Sequence, residues 1–370
     1  MMTSSLPDAR TFLARYWQKK PLFARGALPR FANVLARAQI FELACRGDVE
    51  SRLVTGARKS WRVEHGPFRR RDLMHLPPRE WTLLVNGIES VLPCARELQK
   101  AFDFIPYARH DDVMVSYAAP GGSVGPHFDS YDVALVQGAG TRRWQISAQR
   151  DLELVPGAPL KILRRFCAQR EWTVEAGDVL YLPPRYGHHG VALDDCITWS
   201  VGFRAPGRKE IIERFLDFLR DQPRADQIYR DPRLKPQRRA GAIGPDMLHK
   251  IETMLASLKW TTADIERCVG EYLTEPRPGA VFRSARRISA PRFAALAHAR
   301  GVHLALPTRM LTSGKKIFIN SETAVTPAAS AAVLHRLADT RGLPALTRIN
   351  AATRALLYEW YRAGYIELGS

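Results

Sequence analysis

The sequence lacks any apolar run long enough to span a bilayer. Its first 31 residues carry scattered cations where a secretion signal has an apolar core, among them Arg10, Arg15, Lys19 and Lys20. We therefore expect a cytoplasmic protein with no membrane segment. Cysteine is also scarce, because the five cysteines stand far apart and form no Cys-x-x-Cys pair. This spacing argues against a disulfide framework and against a zinc knuckle, and it indicates reduced thiols.

Acidic residues are in deficit: 37 Asp and Glu stand against 55 Lys and Arg, which gives a formal net charge of +18. Such a charge favours encounter with polyanions such as nucleic acid or ribonucleoprotein. The deficit is sharpest between Glu275 and Glu322, where no acidic residue occurs. This basic C-terminal region indicates contact with RNA or the ribosome. Its cations are Arg277, Arg283, Arg286, Arg287, Arg292, Arg300, Arg309, Lys315 and Lys316.

The chain does have ample apolar material for packed cores, since 46% of its 370 residues are hydrophobic. An amphipathic helix is predicted near the N-terminus, and short segments with period-two alternation follow it. Gly, Pro and Asp separate these segments and no regular helices intervene, which is typical of an antiparallel barrel or sandwich. The predicted strands are 81–85, 113–117, 133–137, 143–146, 172–174, 179–182 and 197–203.

The composition turns helical after 206, and this change predicts the domain organisation. We expect a first domain at 1–206, with its barrel at about 81–206, and then a helical segment at 207–260. The helical segment has little core of its own, so it is predicted to pack on the barrel or to form a homodimer. The remainder, 261–370, has helices around a hairpin pattern at 308–319, which predicts a winged-helix-like domain.

Two stretches hold residues that are suited to a metal. The stretch GPHFDSYD continues the strand pattern, so His127 and Asp129 are expected two residues apart on one face. A second stretch, YLPPRYGHHG, places His188 and His189 just past an apolar strand. Two histidines and one carboxylate are the ligand set of non-haem Fe(II) oxygenases, which leave positions open for a co-substrate and dioxygen. The residues alone leave open which of the two adjacent histidines is the third ligand.

The same residues allow other interpretations. His127 can cap a turn, and His188 can be a surface-loop histidine. Asp132 has the wrong parity for the ligand face, and it is expected to hydrogen-bond locally at the start of a strand. A metal-binding cupin with a winged helix can also be a ligand-sensing regulator or a small-metabolite enzyme. An arginine beside the metal would favour the oxygenase over an isomerase, because a carboxylate co-substrate needs a guanidinium fork and an isomerase has no such need.

Five segments of the chain resemble the cupin-type JmjC ribosomal oxygenases, and in particular the bacterial ribosomal protein arginine hydroxylases. The resemblance is specific as far as 206 and weaker beyond it. It implies a mainly β double-stranded β-helix of the jelly-roll, cupin/JmjC type, with N-terminal helices, a helical dimerisation segment and a C-terminal winged-helix-like domain. The five segments are 16–22 (YWQKKPL), 120–133 (PGGSVGPHFDSYDV), 137–144 (QGAGTRRW), 177–184 (GDVLYLPP) and 200–206 (SVGFRAP).

By position, the resemblance puts the iron ligands on His127, Asp129 and His188. It puts the cation that meets the far carboxylate of 2-oxoglutarate on Arg142, and the hydroxyl partner of that carboxylate on Ser116. The implied reaction uses Fe(II), 2-oxoglutarate and dioxygen to hydroxylate the β-carbon of an arginine in a large-subunit ribosomal protein of the sixteen type. The family often has Gly-Phe-Pro-His before the third ligand, whereas this chain has Arg-Tyr-Gly-His. We favour His188 as that ligand.

Strand alternation also predicts a substrate pocket. If Ser116 faces the co-substrate, Asp112 lies on the same surface of its strand, nearer the mouth. A buried carboxylate is costly unless it is paired, and a substrate guanidinium would pair it. The alternative is that Asp112 or Asp111 caps a turn after His110. The predicted substrate-binding residues are Asp112, Met114, Tyr131 and Ser200.

Overall fold

The computed structural model describes residues 2–3, 5–56, 61–222, 228–236, 238–283, 287–326, 330–346 and 349–369. Their contacts divide the chain into two units. The first unit comprises Met1–Ala205, Pro276–Thr308 and Asp339–Ser370, and the second comprises Pro206–Glu275 and Arg309–Ala338. Within the described ranges, no helix has both the length and the apolar character needed to cross a membrane. The domain boundaries drawn from the sequence stay a prediction.

The first unit begins with short helices and strands that come before the barrel. Asp8 caps the first helix by accepting a hydrogen bond from the Thr11 amide at 3.0 Å, as the predicted N-terminal helix requires. The elements are β1 (Met2–Thr3), α1 (Ala9–Arg15), β2 (Leu22–Ala24), α2 (Arg37–Ala44), β3 (Ser51–Thr55), β4 (Arg62–His65), α3 (Arg70–Met74), β5 (Trp81–Val85), the 3-10 turn Ile88–Ser90 and α4 (Pro93–Lys100).

Two sheets then form the jelly roll. Their further strands are β6 (His110–Ala118), β7 (Asp132–Ala139), β8 (Arg142–Ser147), β9 (Arg170–Val174), β10 (Val179–Leu182), β11 (Gly187–Ala192) and β12 (Cys196–Phe203). The larger sheet has nine strands in the order β1-β2-β10-β7-β12-β6-β5-β3-β4, and the smaller has the order β11-β8-β9. All of their pairings except that of β1 with β2 are antiparallel. The predicted double-stranded β-helix is confirmed.

Alternate side chains of β12 lie on opposite faces of the larger sheet, one facing the hydrophobic core and the other facing a cavity. Trp199 and Val201 point to the face covered by α1, α2 and α4, where the main hydrophobic core lies. The residues that alternate with them, Thr198 and Ser200, point to the opposite face and line a cavity. Because both faces are covered, every residue of β12 is buried. The sheet therefore presents polar side chains to an interior space without exposing its apolar side.

The strand β11 is missed by the sequence pattern, which places His188 in a loop past a strand. In the structure His188 lies within β11 and pairs with Ile146 of β8. Gly190 contributes to this pairing because a Cβ there would lie 2.6 Å from the ring of Trp144. Glycine and histidine carry little strand signal, so packing against the neighbouring strand decides the conformation.

The predicted strand through His127 and Asp129 is wrong. The chain between β6 and β7 is a loop, and His127 makes only an isolated bridge with His188. Gly121 and Gly125 have φ values of +79° and +80°, a left-handed conformation that interrupts a strand. The parity argument therefore does not apply to this loop, and the approach of the two side chains has another cause, described below.

The chain after 206 contains helices and short strands, among them those of the winged helix. The predicted hairpin is confirmed as β14 (Met310–Ser313) and β15 (Lys316–Ile319), joined by a turn in which Gly314 has a φ of +54°. The sequence pattern also predicts a helix over 327–340, and its first three residues lie outside the described residues. The elements are α5 (Arg208–Arg220), α6 (Pro245–Ala256), α7 (Thr262–Leu273), α8 (Ala290–Arg300), β13 (Val302–Leu304), β14 (Met310–Ser313), β15 (Lys316–Ile319), β16 (Glu322–Val325), α9 (Ala331–Thr340), β17 (Gly342–Leu343), α10 (Ala351–Ala363) and β18 (Ile366–Leu368).

Candidate metal centre

Backbone hydrogen bonds between the loop and β11 bring the candidate ligands together. The His127 amide donates to the His188 carbonyl at 2.9 Å, and the His188 amide donates to the His127 carbonyl at 2.7 Å. The Arg185 amide donates to the Asp129 carbonyl at 2.7 Å, which holds the other end of the loop. These bonds replace the strand register that the sequence pattern predicts.

His127, Asp129 and His188 form a compact group. Their ligand atoms all lie within 4.8 Å of one another, and Nε2 of His188 is 3.6 Å from an Asp129 carboxylate oxygen. The ring centroids of the two histidines are 4.1 Å apart. Two imidazoles and one carboxylate at this spacing can face a single metal ion.

Hydrogen bonds to the backbone determine the tautomer of both histidines. Nδ1 of His127 is 2.9 Å from the carbonyl of Gly125, and Nδ1 of His188 is 2.9 Å from the carbonyl of Tyr186. A carbonyl can only accept, so each Nδ1 carries the proton and each Nε2 keeps its lone pair. This arrangement is the one in which a carbonyl orients a metal-bound histidine. The residues present therefore fit a metal ion bound through both Nε2 atoms.

The burial of His188 keeps its ring neutral. Burial lowers the pKa of His188 to about 4, and the neighbouring His127 contributes to the same effect. A neutral imidazole at neutral pH can donate its lone pair to a metal. His189 has the opposite parity in β11, and its ring lies edge-on to Phe166 at a centroid distance of 6.2 Å. The structure thus brings His188 into the group and places His189 on the other face.

The group lies at one wall of a cavity of about 430 Å³. The cavity contains every predicted cofactor-binding and substrate-binding residue, and its volume suits a small co-substrate together with one side chain. Its predicted lining residues are Asp112, Met114, Ser116, His127, Asp129, Tyr131, Arg142, His188 and Ser200.

Arg142, the first residue of β8 in the smaller sheet, places a cation in this cavity. It is only 6% exposed, and its Nε and Nη2 atoms have no hydrogen-bond partner among the described residues. Its guanidinium lies 5.5 Å from the ring centroid of Trp144. Unpartnered guanidinium nitrogens in a buried cavity are costly, and a carboxylate ligand would satisfy both. Ser116, across the cavity on β6, is buried with a long hydrogen bond of 3.4 Å to the Thr198 carbonyl.

The strand β6 places Asp112 in the same cavity. Asp112, Met114 and Ser116 all line it, as their alternation predicts. Both Asp111 and Asp112 lie inside β6 and do not cap a turn. Asp112 accepts a long hydrogen bond of 3.5 Å from the Asn86 side chain, and no ion pair within 4 Å involves it among the described residues. Its carboxylate therefore lies in the cavity without a cation bound to it.

Tyr131 and Asp132 are adjacent in sequence but differ in exposure. Tyr131 lines the mouth and is 37% exposed, which agrees with an aromatic wall. Asp132 does not hydrogen-bond locally at the start of β7. It is fully buried and accepts from the Tyr181 hydroxyl at 2.5 Å and from the Gln18 side chain at 2.9 Å. Asp132 is thus a structural residue that links β7, β10 and the segment after α1.

Sequence reasoning missed the cavity wall formed by β3 and β5. Arg52, Thr82 and Asn86 line it, and each has a buried polar atom without a partner among the described residues. The alternation of Thr82 and Leu84 along β5, continued by Asn86 just past its end, indicated this wall, but β3 itself was not predicted from the sequence. Lys161 also lines the cavity, from the irregular segment between β8 and β9.

The fold and the metal group define a JmjC-type Fe(II)- and 2-oxoglutarate-dependent oxygenase. A family model described as JmjC domain matches residues 97–211, and one described as ROXA-like winged helix matches residues 257–367. The ribosomal protein uL16 3-hydroxylase of Escherichia coli (strain K12) is 34% identical over 277 residues, or 75% of this chain and 73% of that protein. The chain belongs to the JmjC ribosomal oxygenase family.

Solved structures agree with this assignment. An X-ray structure of E. coli YcfD superposes with a TM-score of 0.84 at 29% identity, over 99% of this chain and 100% of that one. A structure of YcfD, a ribosomal oxygenase, in complex with cobalt and 2-oxoglutarate superposes with a TM-score of 0.82 at 29% identity. That comparison covers 98% of this chain and 99% of the other. Family membership decides for the oxygenase over the ligand-sensing regulator.

Proposed function

We propose that this protein hydroxylates the β-carbon of an arginine side chain in a large-subunit ribosomal protein of the uL16 type. The observation that carries the proposal is the half-buried Asp112 carboxylate, which lies without a bound cation in the cavity that holds His127, Asp129 and His188. The activity of the E. coli relative, uL16 3-hydroxylation, supports the same substrate.

The proposed iron ligands are His127, Asp129 and His188. When bound, Fe(II) supplies the activation of dioxygen, which is reduced as 2-oxoglutarate is oxidised to succinate and carbon dioxide and the substrate C–H bond is hydroxylated. We assign the far carboxylate of 2-oxoglutarate to Arg142, whose two unpartnered nitrogens can form parallel hydrogen bonds to it. The Ser116 hydroxyl can donate to the same carboxylate. Apolar side chains of Leu135 and Trp144 help to exclude water from this part of the cavity.

Asp112 is proposed to hold the substrate guanidinium. Burial raises the pKa of the Asp112 carboxyl to about 6, and Arg277 opposes the rise. Above that pH the carboxylate is ionised, and pairing it with a guanidinium offsets the cost of its burial. Met114, Tyr131 and Ser200 line the same region and are proposed to enclose the side chain. With its guanidinium held by Asp112, the substrate arginine would direct its β-carbon toward the metal group.

The proposed activity is tested by incubating the full chain with Fe(II), 2-oxoglutarate and overlapping peptides of uL16. We expect one peptide to stimulate succinate formation and to gain the mass of one oxygen on an arginine. A matched peptide with lysine in place of that arginine is expected to react poorly, because an ammonium lacks the planar fork of a guanidinium. Succinate formation that no uL16 peptide stimulates would contradict the proposal.

Replacing Asp112 with asparagine is expected to lower kcat/KM for the arginine peptide by roughly ten- to a hundredfold, because a charge-assisted bond becomes a neutral one. The KM for 2-oxoglutarate should not change. The control is Asp151→Asn on an exposed loop, where the side chain accepts from the Glu153 amide at 3.1 Å and an asparagine can do the same. Equal effects of the two substitutions would argue against a role of Asp112 in substrate binding.

We propose that the protein is a homodimer that uses the helical segment 207–260. Large apolar side chains of α5 and α6 are exposed, which supports burial against a second copy. They are Ile211, Ile212, Leu216, Met247, Leu248, Ile251 and Leu255. A mass measurement in solution tests the proposal, because a monomer at working concentration would contradict it.

We propose contact of the basic C-terminal region with ribosomal RNA, in the cytoplasm, where a ribosomal substrate is made. Five cations of the region are exposed and support this contact: Arg283, Arg287, Arg292, Arg300 and Lys315. Two others are occupied, because Arg277 binds carboxylates and Lys316 donates to Glu266 at 2.6 Å. Arg286 lies outside the described residues. Salt-dependent binding of ribosomal RNA would support the proposal, and its absence at low salt would contradict it.

A further inference from the structure

A second group of charges lies at the base of the proposed substrate pocket. Three carboxylates are close together there: Glu89 in the turn Ile88–Ser90, and Asp111 and Asp112 at the start of β6. Glu89 is 2% exposed, and one of its oxygens accepts from the Val113 amide at 2.9 Å. Three carboxylates this close repel one another, so a cation is needed beside them.

Arg277 supplies that cation. Its Nε donates to Glu89 at 3.1 Å and its Nη2 donates to Asp111 at 3.2 Å, so the guanidinium connects the two carboxylates. The side chain packs against Gly87, where a Cβ would lie 2.9 Å from the Arg277 Cδ. Gly87 also has a φ of +65°, so two constraints favour glycine at this position. The close approach places the guanidinium beside Asp112 without forming an ion pair within 4 Å to it.

The position of Arg277 in the sequence makes this contact informative. Arg277 lies in the range that matches the ROXA-like winged helix, whereas all three carboxylates belong to the earlier part of the chain. It nevertheless belongs to the same compact unit as the cavity. A residue from the C-terminal region therefore completes the charge balance of the proposed substrate pocket.

We propose that Arg277 is a positioning residue for substrate recognition: by binding Glu89 and Asp111 it keeps Asp112 ionised and free for the substrate cation. The inference rests on the proposed function of Asp112. Arg277 itself does not line the cavity, so it acts through Asp112 and does not touch the substrate. Arg277 makes two contributions: its charge reduces the repulsion among the three carboxylates, and its hydrogen bonds hold Glu89 and Asp111 in place.

The charges around Asp112 support the direction of the effect. Burial raises the pKa of Asp112, Glu89 and Asp111 raise it further, and Arg277 and the Gly87 amide lower it, with a net value of about 6. Arg204 lies 3.6 Å from Asp111 and adds a further positive charge. Tyr131 and Arg52 face the same region from the loop before β7 and from β3. Removing Arg277 leaves the carboxylates less compensated, so the pKa of Asp112 must rise.

The sign of the pH dependence follows from this shift. Substrate binding needs the ionised Asp112 carboxylate, so affinity is present above the pKa of Asp112 and is lost as the pH falls through it. A substrate guanidinium stays charged throughout this range. Loss of Arg277 therefore moves the acidic limb of peptide binding to higher pH, by roughly one unit or more.

The test measures binding of the uL16 peptide that the wild type turns over, as fluorescence anisotropy between pH 6 and 9. Fe(II) and 2-oxoglutarate are present without oxygen, so the peptide binds and does not react. For Arg277→Gln we expect roughly fivefold weaker binding at pH 6, about twofold weaker binding at pH 7 and an almost unchanged affinity at pH 9. Arg277→Lys should restore most of the wild-type profile, because it keeps the charge. Arg283→Gln is the matched control, since it removes an exposed cation from the same region.

A second variant separates electrostatics from misfolding. Adding Glu89→Gln to Arg277→Gln removes one carboxylate charge but keeps an acceptor for the Val113 amide, so the acidic limb should move back toward the wild-type position. Weaker binding by the same factor at every pH, or no effect of Arg277→Gln at all, would overturn the inference. A wild type that binds and turns over no uL16 peptide would instead overturn the proposed function.

Discussion

Replacing His188 with alanine is expected to abolish peptide-stimulated succinate formation, with a loss of at least about a hundredfold, because even residues that only orient metal ligands cost ten- to a hundredfold. His188 is 2% exposed and its Nε2 lies 3.6 Å from Asp129, whereas the adjacent His189 would reach the same place only if β11 moved. Fe(II) affinity, measured by competition with a chelator, should fall together with the activity.

The adjacent histidine is the matched control for this prediction. His189 belongs to the same strand and is of the same residue type, but its ring lies beside Phe166 on the opposite face. We expect His189→Ala to change 2-oxoglutarate turnover less than threefold, a loss comparable with a modest packing change. If His189→Ala removes iron binding and His188→Ala keeps it, the assignment of the third ligand is wrong.

The placement of Asp112, Met114 and Ser116 could be predicted because β6 is a regular strand. Along it, β12 pairs with residues 113–118 and β5 pairs with residues 115–118, so the strand is held in register over most of the range that holds these side chains. Side-chain direction then follows from position alone. The same reasoning is wrong for His127 and Asp129, although the expected proximity of these two residues is observed. Their approach depends on hydrogen bonds to β11, which the local sequence does not contain.

The strand β11 shows why a local pattern is insufficient at this site. Gly187 and Gly190 give the segment little intrinsic preference for a strand, and the adjacent histidines carry no alternation. Pairing with β8 and the close contact of Gly190 with Trp144 determine the conformation. Once the segment is a strand, parity separates His188 from His189, a distinction that the residues alone leave open. Tertiary contact, not propensity, therefore orients the third candidate ligand.

Charged residues that are distant in sequence were beyond reach for the same reason. Asp132 binds Tyr181 and Gln18, and Arg277 binds Glu89, across separations of 49, 114 and 188 residues. No periodicity connects such partners, and the basic composition around Arg277 indicates an exposed cation instead. The sequence thus predicts which residues bind the metal and the co-substrate, but it does not predict the distant charged residues that set the electrostatic environment of Asp112.

Replacing Arg142 with methionine is expected to raise the KM for 2-oxoglutarate by roughly a hundredfold or more. A guanidinium that forms two charge-assisted hydrogen bonds to a carboxylate contributes about 3 to 6 kcal/mol, and methionine keeps the packing against Trp144 without the charge. The maximal rate at saturating 2-oxoglutarate should fall much less, since Arg142 is not one of the proposed metal ligands. Initial rates of succinate formation at varied 2-oxoglutarate separate the two effects.

Arg143 provides the control, because it has the same charge at the next position of β8 but the opposite parity. Arg143 does not line the cavity, so Arg143→Met should leave the KM for 2-oxoglutarate within about threefold of the wild type. Lysine at position 142 should recover only part of the affinity, since an ammonium keeps the charge but cannot form the parallel pair. Equal increases in KM for the Arg142 and Arg143 variants would show that net charge, and not a fixed guanidinium, attracts the co-substrate.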